Sequence, residues 1–219
     1  MGVRKNPLHD LDTYVFVDVS NIRWACLKTL DLWLEFSELA DYFKRKYHSL
    51  KDLRYYEGIA IDDEKKKRTF DYLVRKGYTI CPLERKSYTS TEAEEREVKC
   101  PKCGNEWVAK FSRERKAMKS NVDVYLASDL VRLATLADHP IHIVLVSCDG
   151  DYAEMIKNAL NNPNVIISVL ATPPVRDWTK NTLSTRLRQI FLDYPTSTRR
   201  YHIHNIGNLP CFSEKRTQK

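Results

Sequence analysis

The apolar positions of the chain alternate between two periodicities. Residues 13–19, 53–61, 78–83, 141–146 and 165–170 are short runs dense in β-branched and aromatic side chains, the pattern of strands covered on both faces. Between them the apolar spacing lengthens to three and four. Residues 32–47 carry Leu32, Phe36, Leu39, Ala40 and Phe43, and residues 62–76 carry Phe70, Leu73 and Val74 before Gly77. The same spacing predicts helices over 122–137 (Val122, Leu126, Leu130, Leu133), 153–160 and 176–192 (Leu183, Leu187, Ile190, Phe191). Strands alternating with helices through short links predict an α/β, three-layer fold around a central parallel sheet.

The alternation breaks once. Residues 84–116 are polar and heavily charged and contain Cys-Pro-Lys-Cys-Gly-Asn at 100–105. This segment reads as an insertion, with 97–99 and 106–110 as the arms of a small hairpin. The α/β domain is then 1–83 plus 117–193. Residues 194–219, rich in Arg, His and Thr with little periodicity, form a C-terminal extension.

Two of the buried-strand runs end in carboxylates. The first reaches Asp18, followed by Asn21; the fourth reaches Ser147, Cys148, Asp149, Gly150 and Asp151. Asp123 and Asp129 lie near the start of the helix over 122–137. In an open parallel sheet strand ends converge along one edge, so Asp18 and Asp149 become neighbours if their strands are adjacent. Asp123 can face them from the side. Clustered carboxylates need a cation or a shared proton. Oxygen ligands suit Mg²⁺ or Mn²⁺, ions that serve phosphodiester hydrolysis. Each acid singly also suits a helix cap or first-turn position, Asp18 for a helix beginning near Asn21 and Asp149 for the next one. Capping accounts less well for two strands of one chain both ending in acids.

Three segments together resemble the motifs of NYN domains, the LabA-like branch of the PIN-like nuclease superfamily. They are Val-Phe-Val-Asp-Val-Ser-Asn at 15–21, Lys-Ser-Asn-Val-Asp-Val-Tyr-Leu-Ala-Ser-Asp at 119–129 and Val-Ser-Cys-Asp-Gly-Asp-Tyr at 146–152. The resemblance spans roughly 13–192 and implies a PIN-like, Rossmannoid fold and a metal-dependent ribonuclease. Position by position it makes Asp18, Asp123, Asp149 and Asp151 the catalytic, metal-binding acids. Asn21, Ser147 and Asp129 become supporting polar residues, and Lys119 approaches a phosphate. Cys148 departs from the family, which has glycine or another small residue there, and the 84–116 insertion is not part of the minimal fold. Readings of another class stay open: a non-catalytic RNA- or protein-binding module, or a nuclease acting on DNA.

Cys100 and Cys103 have the spacing of a zinc knuckle, but tetrahedral structural zinc takes four ligands and only two are evident. Cys81 folding back, or a homodimer joining two knuckles, would complete the set; a metal-free turn is the alternative. Lys110, Arg113, Arg115, Lys116 and Lys119, interleaved with Trp107 and Phe111, are suited to single-stranded RNA. The acids of the same segment, Glu92 to Glu114, suit a mixed-charge solvated hairpin nearly as well. Arg199 and Arg200 belong either to an RNA-contacting tail or to a polar extension.

The formal charge of +7 favours an anionic partner. No run approaches the roughly 18 apolar residues of a membrane span, and no apolar leader follows the basic N-terminus, which sets the expectation of a cytoplasmic protein with reduced thiols. The chain lacks a Gly-x-Gly-x-x-Gly turn, a P-loop lysine and a nucleophile elbow, so dinucleotide, P-loop and serine-hydrolase chemistry are set aside. His139 and His142 flank a strand start, where surface or packing roles are expected.

Overall fold

The computed structural model describes residues 7–60, 63–75, 77–174, 178–193 and 200–214. In chain order, β1 (Asp12–Asp18) leads into α1 (Val19–Leu30), β2 (Leu32–Leu34), α2 (Phe36–Lys46), β3 (Leu50–Ile59), α3 (Glu64–Arg75) and β4 (Thr79–Glu84). Two long strands follow, β5 (Lys86–Lys99) and β6 (Glu106–Lys119), then α4 (Val122–Leu136), β7 (Ile141–Val146), α5 (Ala153–Ala159) and β8 (Val165–Ala171). The chain closes with α6 (Thr185–Asp193), β9 (Tyr201–Asn205) and β10 (Phe212–Glu214).

Six strands form one parallel sheet in the order β4-β3-β1-β7-β8-β9. Its centre is buried on both faces: Val15, Phe16 and Val17 of β1 and all of β7 are covered. That is why these strands read as unbroken apolar runs. From β1 the chain winds outward through β3 and β4, then returns to β7, β8 and β9 on the other side. Strand order therefore reverses between β1 and β7, and ligands of open α/β sheets bind in the crevice at such a switch point. α1, α2 and α3 pack on the β1-β3-β4 half, while α4, α5 and α6 pack side by side; right-handed crossovers put these two sets on opposite faces.

The expected helix over 32–47 is in fact two elements. Asp31 takes a left-handed conformation (φ 56°) that ends α1, and residues 32–34 pair antiparallel with β10. The partner strand is about 180 residues distant in sequence, so local spacing could not signal it. α1 itself was announced only by its cap: Asp18 Oδ1 accepts the Asn21 N–H at 3.2 Å. The last helix begins at Thr185, well after the start its spacing suggests; Trp178–Lys180 is a single 3-10 turn, and 175–177 lie outside the described residues. The tail is woven into the domain. β9 is the sixth strand of the sheet, and Arg200 Nη1 donates to the carbonyls of Leu160 and Asn162 at 2.9 Å each. Being an edge strand with one buried residue, Tyr201, it carries little apolar signal. Arg199 lies outside the described residues.

β5 and β6 form a two-stranded ribbon paired from Lys86↔Lys119 to Lys99↔Glu106, far longer than the small hairpin expected. It joins no other sheet. It leaves from the end of β4 and returns to the start of α4, so it springs from the carboxyl edge of the parallel sheet. Gly58, near the end of β3, is packed under its base: a methyl group there would collide with Ser120 Oγ and the Arg85 side chain.

Candidate active site

The adjacency required of β1 and β7 holds. Val17 pairs with Val146, so Asp18 and Ser147 leave the sheet side by side. The two strand ends are tied by one carboxamide: Asn21 Oδ1 accepts the Cys148 backbone N–H at 2.9 Å and the Ser147 hydroxyl at 3.1 Å. Ser147 Oγ in turn accepts the Asp149 N–H at 3.2 Å. Asp149 Oδ1 accepts the Asp151 N–H at 3.0 Å, capping the 3-10 turn Gly150–Tyr152. Capping and site-forming are thus the same geometry for Asp18 and Asp149, since each cap uses one carboxylate oxygen. Asp18 Oδ2 receives the Tyr152 hydroxyl at 3.0 Å.

Asp18 is only 7 % exposed. Burial raises its pKa to about 6, against the pull of the Asn21 N–H and the Tyr152 hydroxyl; Asp149 and Asp123 add repulsion. Asp123, in the first turn of α4, is near enough to add to that repulsion. Tyr152 is held well above the ordinary phenol range by burial and by the same carboxylates. The acids run from buried to open: Asp18 buried, Asp149 half-buried, Asp123 and Asp151 exposed. Asp151 looks outward, 3.5 Å from Arg186 Nη1.

Asp129 is not part of this group. It accepts from Arg54 Nη1 at 3.0 Å and from the Tyr56 hydroxyl at 2.6 Å, binding α4 to β3. Six residues beyond Asp123, it falls on a different side of the helix, so its work is to orient α4. Cys148 neither crowds the turn nor reaches the site. It is 2 % exposed, and its Sγ lies 3.3 Å from the Thr172 hydroxyl; burial pushes its thiol up. His142 is fully buried, with Nε2 2.8 Å from Ser168 Oγ, and burial lowers its pKa to about 3, leaving it neutral. His139 is on the surface between Asp138 and Asp12.

The segment that precedes α6 supplies residues no motif signalled. The Ser184 N–H donates to the Cys148 carbonyl at 3.1 Å, and Ser184 and Arg186 close over Gly150, leaving no room for a Cβ there. Between α1, β2, α2 and α3 lies a cavity of about 410 Å³ lined by Val19, Trp33, Phe36 and Tyr72. At it sits the buried carboxylate of Glu57, paired by both Arg23 and Lys66. No spacing in the sequence links these three charges.

On the ribbon, Lys110 is exposed and paired with Glu95 at 3.2 Å. Lys99 pairs with Glu106 and Arg96 with Glu94 in the same way, the mixed-charge pattern expected of a solvated hairpin and worth little in stability. Arg113, Arg115, Lys116 and Lys119 lie on β6, but their side chains fall outside the described part of the structure. Trp107 and Phe111 are about half exposed; Trp107 does not bury itself against the domain. Cys81 sits in β4 at the opposite end of the ribbon from Cys100 and Cys103, a span of roughly 45 Å at strand rise, so folding back does not bring it to the knuckle.

Among the described residues, no three Asp, Glu, His or Cys side chains group tightly enough to enclose an ion. The donor chemistry at the sheet edge nevertheless fits a hard divalent cation that keeps several waters: three carboxylates, one of them buried against its own preference and repelled by the other two.

A parallel, doubly wound α/β domain with acids at its switch point is the architecture of a PIN-like nuclease. The chain belongs to the NYN domain family, whose model matches residues 12–189. It is similar in fold to a crystal structure of a protein of unknown function from Vibrio parahaemolyticus RIMD 2210633, with a TM-score of 0.52 and 16 % identity over 93 % of this chain and 95 % of that one. No curated protein matches the chain. No helix among the described residues is long and apolar enough to cross a membrane.

Proposed function

We propose that this NYN domain is a divalent-metal-dependent endoribonuclease that cuts single-stranded RNA in the cytoplasm. The reading is supported by Asp18 and Asp149 leaving adjacent strand ends at the β1/β7 switch point, with Asp18 buried and repelled by both Asp149 and Asp123. These three carboxylates would hold Mg²⁺ or Mn²⁺, which supplies activation of water and charge stabilisation at the leaving oxygen. Asn21 fixes the distance between the two strand ends, and Ser147 sets the start of the acidic turn. Tyr152 holds Asp18 in one rotamer through its hydroxyl. Asp151 and Arg186 stand at the rim, where Arg186 is placed to meet a phosphate.

RNA as substrate is supported by the net charge of +7 and by the ribbon that rises from the same edge with Trp107 and Phe111 exposed. A cytoplasmic setting is supported by six cysteines that are all unbridged. Zinc at Cys100 and Cys103 is a separate element of the reading, and one chain leaves its ligand set incomplete.

The test is cleavage of end-labelled single-stranded RNA and DNA in Mn²⁺ or EDTA. Asp149→Asn is expected to lose cleavage while retaining RNA binding and its melting temperature. Undiminished cleavage by that variant would overturn the site, and preference for DNA would overturn the substrate.

A further inference from the structure

Cys100 and Cys103 cap a ribbon whose strands run 14 residues each. The turn between them is built in a defined way. Gly104 has φ +75° with nothing within 4 Å of an added Cβ, so the glycine serves the backbone and not packing. Its N–H donates to the Cys100 carbonyl at 2.9 Å, and the Cys100 N–H donates to the Asn105 carbonyl at 2.8 Å. Thiolate sulfur is a ligand for soft and borderline metals.

Thiolates at this spacing provide half of a tetrahedral zinc site. No other cysteine or histidine of the same chain is placed to supply the other half. Cys26, Cys148 and Cys211 are buried in the core, and Cys81 lies at the far end of the ribbon. All six histidines belong to the α/β body. Among the described residues no third ligand approaches.

The geometry points to a zinc site shared by two copies of this chain, in which Cys100 and Cys103 of each ribbon tip supply two of four sulfur ligands. A free-standing two-stranded ribbon is marginal in water, and this one carries Val98, Trp107 and Phe111 on one face; Trp107 and Phe111 are about half exposed. A second ribbon joined at the tip is positioned to cover that face. The shared site is independent of the nuclease reading, because its ligands lie at the opposite end of the ribbon from the acids.

The experiment titrates Zn²⁺ alone into the reduced, metal-stripped full chain while molar mass is followed by light scattering; Co²⁺ replaces Zn²⁺ in a parallel spectroscopic titration. Binding is expected to saturate at one ion per two chains, with a doubling of molar mass and an intense sulfur-to-cobalt charge-transfer band. Cys100→Ser and Cys103→Ser should lose both responses, whereas Cys81→Ser keeps them; an unchanged far-ultraviolet spectrum shows each variant folded. One ion per chain without a change in mass overturns the proposal. So does absence of binding, an intramolecular disulfide that persists under reductant, or a dimer that survives chelation or Cys100→Ser.

Discussion

Tyr152 donates its phenolic O–H to Asp18 Oδ2 at 3.0 Å, joining two strand ends that lie 134 residues apart in sequence. Both partners are buried, so the bond links the acidic turn after β7 to the carboxylate of β1 without intervening solvent. The site is thereby a small rigid arch: Asn21 crosses from α1 to the Cys148 N–H, and Tyr152 crosses back to Asp18. Both ties depend on β1 and β7 being neighbours.

Asp18 costs the protein stability in its ionised form. Its pKa is raised from 3.8 to about 6, so the folded state holds the proton more tightly than the unfolded state. The stabilising contribution is complete below pH 3.8 and is lost as pH rises through 6. At alkaline pH the cost is about 3 kcal/mol by the usual conversion. Asp18→Asn is therefore expected to be inactive yet no less stable than wild type at about pH 8 in EDTA, its advantage vanishing near pH 4. Mg²⁺ or Mn²⁺ should raise the melting temperature of wild type and not of this variant. Denaturant melts across this pH range, with and without metal, check both statements.

Asn21 does two jobs that substitution separates. Asn21→Ala leaves the buried Cys148 N–H without its acceptor, a loss of about 1–3 kcal/mol, and loosens the spacing of Asp18 and Asp149. Asn21→Asp keeps an acceptor oxygen but adds a fourth charge, which should push the Asp18 pKa further up. Cleavage should fall in both. Thermal stability should fall chiefly in the alanine variant at low pH and in the aspartate variant at high pH.

Gly150 is required by space and not by backbone angle. A Cβ there would collide with Ser184 Oγ and come within 2.9 Å of Ser184 Cβ. Gly150→Ala should displace the 181–186 segment, destabilise the fold by about 1–3 kcal/mol as overpacking does, and impair cleavage. Adding Ser184→Gly should restore more stability than adding Ser184→Ala, because it removes both close atoms. A double-mutant cycle measures this coupling.

His142 acts on stability in the opposite sense to Asp18. Burial lowers its pKa from 6.5 to about 3, so the unfolded chain takes up a proton at His142 that the folded chain refuses. Stability from this group is full above pH 6.5 and is lost as pH falls towards 3. His142→Gln should lose less stability than wild type as pH falls from about 6.5 to about 4. Parallel slopes for the two proteins would show that another group controls the acid limb.

The strands at the sheet centre were legible because burial on both faces forces continuous apolar runs, as in residues 141–146. Asp18 and Asp149 stood out for the same reason: a carboxylate set directly after such a run is costly to desolvate and contributes nothing to the core. β9 escaped because an edge strand with one buried side chain needs no such run. β2 escaped because its partner is the distant β10. Asp129 shared a motif with Asp123 but faces Arg54 and Tyr56, and only the helical phase between them separates the two roles. The contributions of Tyr152, Ser184, Arg186 and Glu57 arise from contacts across the fold, which spacing along the chain does not encode.

By itself the sequence determined the alternation of strands and helices, the two acidic strand ends, the cysteine pair and the family resemblance, all of which are local patterns of side-chain type. The tertiary structure decided that β1 and β7 are adjacent, that Asp18 is buried among like charges, and that the ribbon holds Cys100 and Cys103 far from every other cysteine and histidine. Adjacency and distance are properties of how the sheet is wound. A one-dimensional pattern fixes which groups can meet a requirement, but the packing of the sheet decides which ones do.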